Sequence, residues 1–135
     1  MRILHIITAL GDGGAEHTLY KICKYDKFND HVVISLKKGG KYNFLLKKLG
    51  VTVYSVDLKL FSFLKFFYIV KLIGISEPDI VQTWLVHGDL IGGLAARLCG
   101  IKNIVWNVRY SNFELGKAKL ITIILIKILA KLSFL

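Results

Sequence analysis

The sequence predicts an α/β protein with a parallel sheet and helices on both of its faces, and three observations favour this class. Short apolar runs rich in isoleucine and valine recur along the chain, as in strands that are buried on both faces. Stretches with the apolar spacing of helices separate these runs. The chain has 135 residues, of which one is proline and 54% are hydrophobic, and this composition suits one domain with a single core.

The apolar runs and the helical stretches alternate along the whole chain. We expect strands at 3–7, 31–36, 51–56, 79–83 and 103–108, and helices at 15–23, 42–49, 61–73, 88–98 and 117–135. Parallel strands joined by helices form a Rossmann-like three-layer sandwich, and we predict about five strands in the order 3-2-1-4-5. Residues 1–135 fall in one domain. In the second helix we expect Phe44, Leu45 and Leu49 to face inward.

A glycine loop joins the first strand to the first helix, with Gly-Asp-Gly-Gly at 11–14. Such a loop brings unpaired N–H groups and the positive end of a helix dipole to the carboxyl edge of a sheet. We expect Gly13 and Gly14 to face a ligand there, with Gly14 in a conformation of positive φ. Glu16 stands where the dinucleotide fingerprint G-x-G-x-x-G has its third glycine, which argues against an NAD site. A tight turn without a ligand and a site for a sugar hydroxyl are the open alternatives.

Polar residues also follow the fourth and fifth strands, where ligands of such sheets bind. Arg109 can hold a phosphate or a carboxylate through two N–H groups. Structural roles are open as well, since Asp89 can open a helix and Arg109 can pair with Glu114. Glu16 of the glycine loop lies at the same edge of the predicted sheet. The candidate residues of the cleft are therefore Glu16, His87, Asp89, Asn107, Arg109 and Ser111.

The net charge of +10 fits a solvated basic surface, a phosphate-bearing ligand or an anionic membrane surface. We do not expect nucleic acid as a partner, because the arginines are few and unclustered. Cys23 and Cys99 are isolated and lack the spacing of metal ligands, so we expect buried thiols and no metal site.

No charge-free apolar run reaches the ~18 residues of a membrane-spanning helix, and residues 3–10 make a poor signal peptide. We therefore expect a cytoplasmic protein. Residues 117–135 are apolar with lysines at 127 and 131. The uncovered side of this predicted helix has three candidate partners: a missing part of the fold, a second copy of the chain, or the inner face of a membrane.

Three motifs together resemble the N-terminal domain of the retaining glycosyltransferases of family 4, which have the GT-B fold. They are His-Ile-Ile-Thr-Ala-Leu-Gly-Asp-Gly-Gly-Ala-Glu at 5–16, Pro-Asp-Ile-Val-Gln-Thr-Trp at 78–84 and Gly-Asp-Leu-Ile-Gly-Gly-Leu-Ala-Ala-Arg-Leu-Cys-Gly-Ile at 88–101. Each motif is moderately specific, and their order and spacing make the set strong. The resemblance covers nearly the whole chain.

The resemblance implies half of a GT-B fold, whose other domain holds most of the nucleotide-sugar. It implies sugar transfer, with retention at the anomeric carbon, from a nucleotide-sugar to a saccharide or lipid-linked acceptor, in polysaccharide or cell-envelope synthesis and without a cofactor. By the same resemblance, Gly13 and Gly14 approach the donor phosphates, and His87, Asn107 and Arg109 line the acceptor side. Arg109 departs from the pattern, because many members have a histidine there.

The implied donor-binding domain is absent from the 135 residues, so we expect a truncated product, a fragment or one half of a split enzyme. Two other classes stay open. The chain can be a non-catalytic module that pairs with a separate donor-domain chain. It can also be a nicotinamide-dependent oxidoreductase, which Glu16 disfavours.

Overall fold

The structure is a computed structural model that describes residues 1–58 and 63–107, together with positions 124 and 131. Arg109 and Ser111 lie outside the described residues. So does the predicted helix at 117–135, apart from the two single positions.

Strands and helices alternate as predicted, with ends shifted by a few residues. The strands are β1 (Arg2–Ile7), β2 (Asp30–Ser35), β3 (Thr52–Ser55), β4 (Ile80–Trp84) and β5 (Ile104–Asn107). The helices are α1 (Gly14–Tyr25), α2 (Lys41–Lys48), α3 (Phe63–Ser76), α4 (Leu85–His87) and α5 (Gly93–Leu98). A π-helical turn, Gly88–Gly92, joins α4 to α5.

The five strands form one sheet in the order β3-β2-β1-β4-β5, which confirms the predicted order. Every neighbouring pair is parallel. β1 lies at the centre, where Ile7 at its carboxyl end pairs with Ser35 of β2 on one side and with Trp84 of β4 on the other. The chain order therefore reverses at β1, and ligands of such sheets bind in the crevice at this point.

Two apolar clusters cover the two faces of the sheet. One packs α3 and α5 against it, and the other packs α1 and α2 against it. Leu4 and Ile6 of β1 belong to the first cluster and Ile7 to the second, as the alternation of side chains along a strand requires. All three are fully buried, so the central strand is apolar on both faces, as its sequence predicts.

The predicted inward face of α2 is wrong at Phe44, which is 65% exposed, and at Leu49, which is 37% exposed, whereas Tyr42 and Asn43 are buried. The Asn43 amide donates a hydrogen bond to Ser55 Oγ at 2.9 Å. The Tyr42 hydroxyl lies 2.9 Å from His17 Nδ1 of α1. These polar contacts set the rotation of the helix, and a prediction that weighs apolar spacing alone does not detect them.

The outer face of α3 is largely apolar, although it includes the exposed Lys71. Its large apolar side chains are between 49% and 80% exposed: Phe63, Leu64, Phe67, Tyr68 and Ile75. Within the described part of the chain, no helix combines the length and the apolar character that crossing a membrane requires.

Candidate functional site

The glycine loop lies at the carboxyl end of β1, where the chain order of the sheet reverses. α1 begins at Gly14, and Gly13 precedes it in an extended conformation without a capping side chain. The His17 N–H donates to the Gly13 carbonyl at 3.0 Å. The N–H groups of Gly14, Ala15 and Glu16 come before this first bond, so they lack acceptors within the helix. Together with the helix dipole they form a site suited to an anion or an oxygen-rich ligand.

Gly14 is the open position of this loop. It is exposed, and a Cβ added there would meet no atom within 4 Å. The expectation of a positive φ at Gly14 is wrong, since Gly14 is not among the residues in that region. The local backbone therefore accepts a side chain at Gly14, and a requirement for glycine there would come from a ligand.

The Glu16 side chain folds back over the start of α1. The residue is 9% exposed, and a Cβ added to Gly13 would lie 2.5 Å from Glu16 Oε2 and 3.3 Å from Oε1. The Glu16 carboxylate thus lies over the N-cap residue, at the third helical position that the glutamate of a capping box occupies. Its charge also stabilises the helix dipole. An incoming phosphate would be repelled near Gly13 and would find open backbone at Gly14.

The start of α2 supports the glycine loop from outside. Lys41 Nζ lies 3.0 Å from the Asp12 carboxylate, and this hydrogen bond, followed by the charge of Asp12, raises the pKa of Lys41. Both side chains are exposed, so the pair contributes little to stability. The firmer support is backbone contact, because the Tyr42 N–H donates to the Leu10 carbonyl at 3.1 Å. Lys41 thus brings a cation to the side of the loop that carries Asp12.

β4 continues directly into helix, so the prediction of a helix opened by Asp89 is wrong. Leu85 follows the strand with a φ of +65°, a backbone conformation that residues other than glycine rarely adopt. The Gly88 N–H then donates to Thr8 Oγ1 at 3.2 Å. A Cβ on Gly88 would lie 2.9 Å from the Ile6 carbonyl oxygen. The helical segment therefore lies against β1, beside the entrance to the glycine loop.

The predicted site residues of β4 and β5 do not form one cluster. His87 is exposed at the end of α4, whereas Asp89 is 1% exposed inside the π-helical turn. Asn107 pairs with Trp84 across the two strands and therefore shares its face of the sheet. Asp89 bonds Thr83, whose side chain lies on the opposite face. Arg109 and Ser111 belong to the part of the chain that the structure does not describe.

Asp89 has an unusual environment for a carboxyl group. Burial raises its pKa to about 6, although the hydrogen bond with Thr83 acts in the opposite direction. Among the described residues its Oδ1 atom is buried without a hydrogen-bond partner. A carboxyl with this pKa gains or loses a proton near neutral pH. Catalytic acids and bases have this property, and so do buried carboxyl groups that destabilise the folded protein when they ionise.

We expect Asp89→Asn to stabilise the protein more at pH 7.5 than at pH 4.5. A carboxyl whose pKa is raised on folding binds more protons in the folded state between its two pKa values, so its contribution to stability falls as pH rises through that window. Asparagine cannot ionise and keeps an oxygen for Thr83. Urea unfolding at the two pH values should show the gap to the wild type growing by about 2 kcal/mol. A gap that does not change with pH would contradict burial of an ionised Asp89.

The core contains a polar cluster that the sequence does not predict. His5, Cys23 and His31 are buried, and their ligand-type atoms lie within 4.8 Å of one another. They are distant in sequence, so no motif spacing reveals them. His5 Nε2 lies 3.0 Å from His31 Nδ1, a hydrogen-bond distance. Burial raises the pKa of Cys23 to about 12, while metal ligation needs the thiolate. These observations favour a hydrogen-bonded core cluster over a metal site.

The strand order and the glycine loop at the reversal of the sheet are those of a Rossmann-like α/β fold, and in comparisons with known proteins the chain resembles glycosyltransferases. No model of a known protein family matches the chain. The capsular polysaccharide biosynthesis glycosyltransferase CapH of Staphylococcus aureus is 26% identical over 113 residues, which are 82% of this chain and 31% of CapH. The chain therefore spans about a third of the length of the curated relative that it matches.

Solved structures show the same fold at low sequence identity. HepE of Anabaena, in complex with UDP and glucose, is 17% identical with a TM-score of 0.69, and the match covers 98% of this chain and 35% of HepE. MurG of Acinetobacter baumannii is 18% identical with a TM-score of 0.64, over 90% of this chain and 38% of MurG. The lipopolysaccharide outer core galactosyltransferase WaaB is 18% identical with a TM-score of 0.59, over 78% of this chain and 32% of WaaB.

Proposed function

We propose that the chain is the acceptor-side domain of a retaining GT-B glycosyltransferase of family 4. The proposed reaction moves a sugar from a nucleotide-sugar to a saccharide or lipid-linked acceptor in polysaccharide or cell-envelope synthesis. The similarity to CapH supports sugar transfer, and HepE with UDP and glucose supports a nucleotide-sugar donor. The observation that carries the proposal is the open backbone at Gly14, at the reversal of the sheet, with unpaired N–H groups beside it.

In this proposal the glycine loop binds the diphosphate of the donor. The N–H groups of residues 14–16 would donate to its oxygens, whose charge grows as the sugar departs. Gly14 would admit the ligand to the backbone, while Glu16 would hold the start of α1 in place. A second domain, on the same chain or on a partner chain, would hold the nucleotide. The protein would thus act by positioning the reactants and by stabilising charge.

The acceptor side is assigned to polar residues near the same edge of the sheet. His87 is exposed on α4 and is free to contact an acceptor hydroxyl. Asn107 ends β5, and its Nδ2 atom is buried without a hydrogen-bond partner among the described residues, so a ligand oxygen would satisfy it. Arg109 and Ser111 complete the proposed acceptor side, whereas Asp89 is buried on the opposite face of the sheet and is not part of it.

Gly14→Val tests the proposed loop. We expect the folded domain to keep its stability within about 1 kcal/mol, because the added side chain meets open space. In the protein assembled with its donor domain, we expect turnover to fall by about 100-fold or more, since the side chain keeps the diphosphate from the N–H groups. The measurement is sugar transfer at saturating acceptor, with urea unfolding of the same sample.

The matched control is Gly74→Val, at an exposed helical glycine where an added Cβ also meets no atom within 4 Å. This variant should transfer sugar at the rate of the parent protein. Full turnover by Gly14→Val would mean that the glycine loop is only a turn.

Cytoplasmic placement with peripheral contact to an anionic membrane surface is part of the proposal. It is supported by the net charge of +10 and by the exposed apolar residues of α3. Such contact combines apolar insertion with attraction of lysines to anionic lipid. Sedimentation with anionic but not with neutral vesicles, weakened by salt, is the expected behaviour, and equal binding to both kinds of vesicle would contradict it.

A further inference from the structure

Four side chains lie in a row across the core, from β4 to the end of α1. Trp84 Nε1 lies 3.3 Å from His5 Nδ1. His5 Nε2 lies 3.0 Å from His31 Nδ1. His31 Nε2 lies 3.3 Å from Asp26 Oδ2, as a close electrostatic contact that is not aligned as a hydrogen bond. Trp84, His5 and His31 are each less than a tenth exposed.

The donor at one end of the row and the acceptor at the other end determine the direction of its hydrogen bonds. The indole N–H of Trp84 only donates, so His5 Nδ1 accepts and carries no proton. Neutral His5 then has its proton on Nε2 and donates to His31 Nδ1. His31 in turn has its proton on Nε2, facing a carboxylate that only accepts. Both imidazoles are therefore neutral and are protonated at Nε2.

We propose that this row, Trp84–His5–His31–Asp26, is an acid-sensitive latch that holds the carboxyl end of β4. If His5 Nδ1 took up a proton, two N–H groups would face each other, and the indole N–H of Trp84 would lose its hydrogen-bond acceptor. Trp84 immediately precedes Leu85, whose φ of +65° starts the helical segment beside the glycine loop. Opening the latch frees the side chain that fixes this turn. The proposal stands independently of the reaction assigned to the chain.

Among the described residues, the groups that face His5 are His31 from β2, Cys23 from α1 and the uncharged Trp84 from β4. Asp26, which directly follows α1, acts on His5 at longer range from beyond His31. Burial and, to a smaller extent, the nearby His31 together lower the pKa of His5 to about 3, although Asp26 acts in the opposite direction. The unfolded chain therefore binds a proton at His5 between about pH 6.5 and pH 3 that the folded chain does not. The folded state loses stability as pH falls through that window, by up to tenfold in the unfolding constant per pH unit.

The direct test is long-range ¹H–¹⁵N NMR of the wild-type chain labelled at its histidines. At pH 7 we expect His5 and His31 both in the Nε2–H tautomer, with Nδ1 of each unprotonated. At pH 5.5 His5 should still be neutral, and the indole N–H of Trp84 should stay protected from exchange. A proton on Nδ1 of either residue at pH 7, or a charged His5 at pH 5.5, would overturn the latch. Both measurements use the wild-type chain, so they do not require that a variant folds.

Two further measurements separate the latch from other roles of the cluster. His5→Leu should make the unfolding constant less dependent on pH between 6 and 4, by up to tenfold per unit, whereas the exposed control His87→Gln should leave that dependence unchanged. An equal pH dependence in His5→Leu and wild type would contradict the proposal. Zinc added in equimolar amount should leave the histidine signals in place. A one-to-one zinc complex that removes the His5 Nε2 proton would make the cluster a metal site and overturn the latch.

Discussion

Gly40→Ala is expected to lower the free energy of unfolding by about 4 kcal/mol. An added Cβ would lie 2.1 Å from the Leu10 carbonyl oxygen and 2.5 Å from its carbon. Both atoms belong to the backbone, so no side chain can turn away to make room. Gly40 also has a φ of +98°, which a residue with a Cβ adopts only at a cost. The segment before α2 would have to leave the glycine loop, which that segment supports.

The neighbouring residue supplies the control. Gly39 has a φ of +75°, but a Cβ there would meet no atom within 4 Å. Gly39→Ala should therefore cost only the backbone strain, about 1 kcal/mol. Urea unfolding of the two variants beside the wild type measures the difference. Equal losses would mean that the contact with Leu10 does not constrain the loop.

Gly93→Ala is expected to destabilise the protein by about 3 kcal/mol. Gly93 starts α5, and a Cβ there would lie 2.1 Å from Cη2 of Trp106 and 2.7 Å from its Cζ3. The indole ring is rigid, and it lies on the strand β5 that ends at the candidate residue Asn107. Relief of the clash would separate α5 from β5 and so displace one side of the proposed acceptor site.

A glycine-to-alanine substitution should have the opposite effect on stability in α3. Gly74 lies inside that helix, and its added Cβ meets no atom within 4 Å. Gly74→Ala should stabilise the protein by about 0.8 kcal/mol, because alanine has the higher helix propensity. Thermal unfolding of both variants compares them directly. A gain in both would show that α5 does not pack against Trp106 as described.

The fold could be predicted because its signals are local. The central strand is buried on both faces, so its sequence is an unbroken apolar run. Two helix ends were also readable, since Gly50 and Gly100 follow α2 and α5 with φ of +83° and +75°, the conformation that glycine adopts after a helix. The preference for short right-handed connections between parallel strands narrows the possible strand orders, and 3-2-1-4-5 is one of the common orders that it allows.

The start of α4 and the rotation of α2 were not predictable in the same way. Leu85 adopts a left-handed conformation that leucine does not favour, and the helical segment that begins there is anchored by the Gly88 N–H, which donates to Thr8 directly after β1. The burial of Asn43 depends on one hydrogen bond to Ser55. Both features arise from contacts between elements, which the local sequence does not encode.

The candidate site was predictable in position but not in detail. The glycine loop lies at the reversal of the sheet, as expected for residues that follow the first strand. The burial of Asp89 and its separation from Asn107 by the sheet were not expected, because a residue after a strand can lie on either face. The row of Trp84, His5 and His31 joins three strands, so a reading of one stretch at a time does not reveal it.

The most direct test of the proposed glycosyltransferase role is a sugar-transfer and calorimetry experiment on residues 1–135, alone and joined to a donor-binding domain, against a panel of nucleotide-sugars. We expect the 135 residues alone to show no turnover and no micromolar binding, because the nucleotide is proposed to bind the other domain. The joined protein should transfer sugar with retention at the anomeric carbon. Micromolar binding of a nucleotide-sugar by residues 1–135 alone, or the absence of transfer by a folded joined protein, would contradict the proposed role.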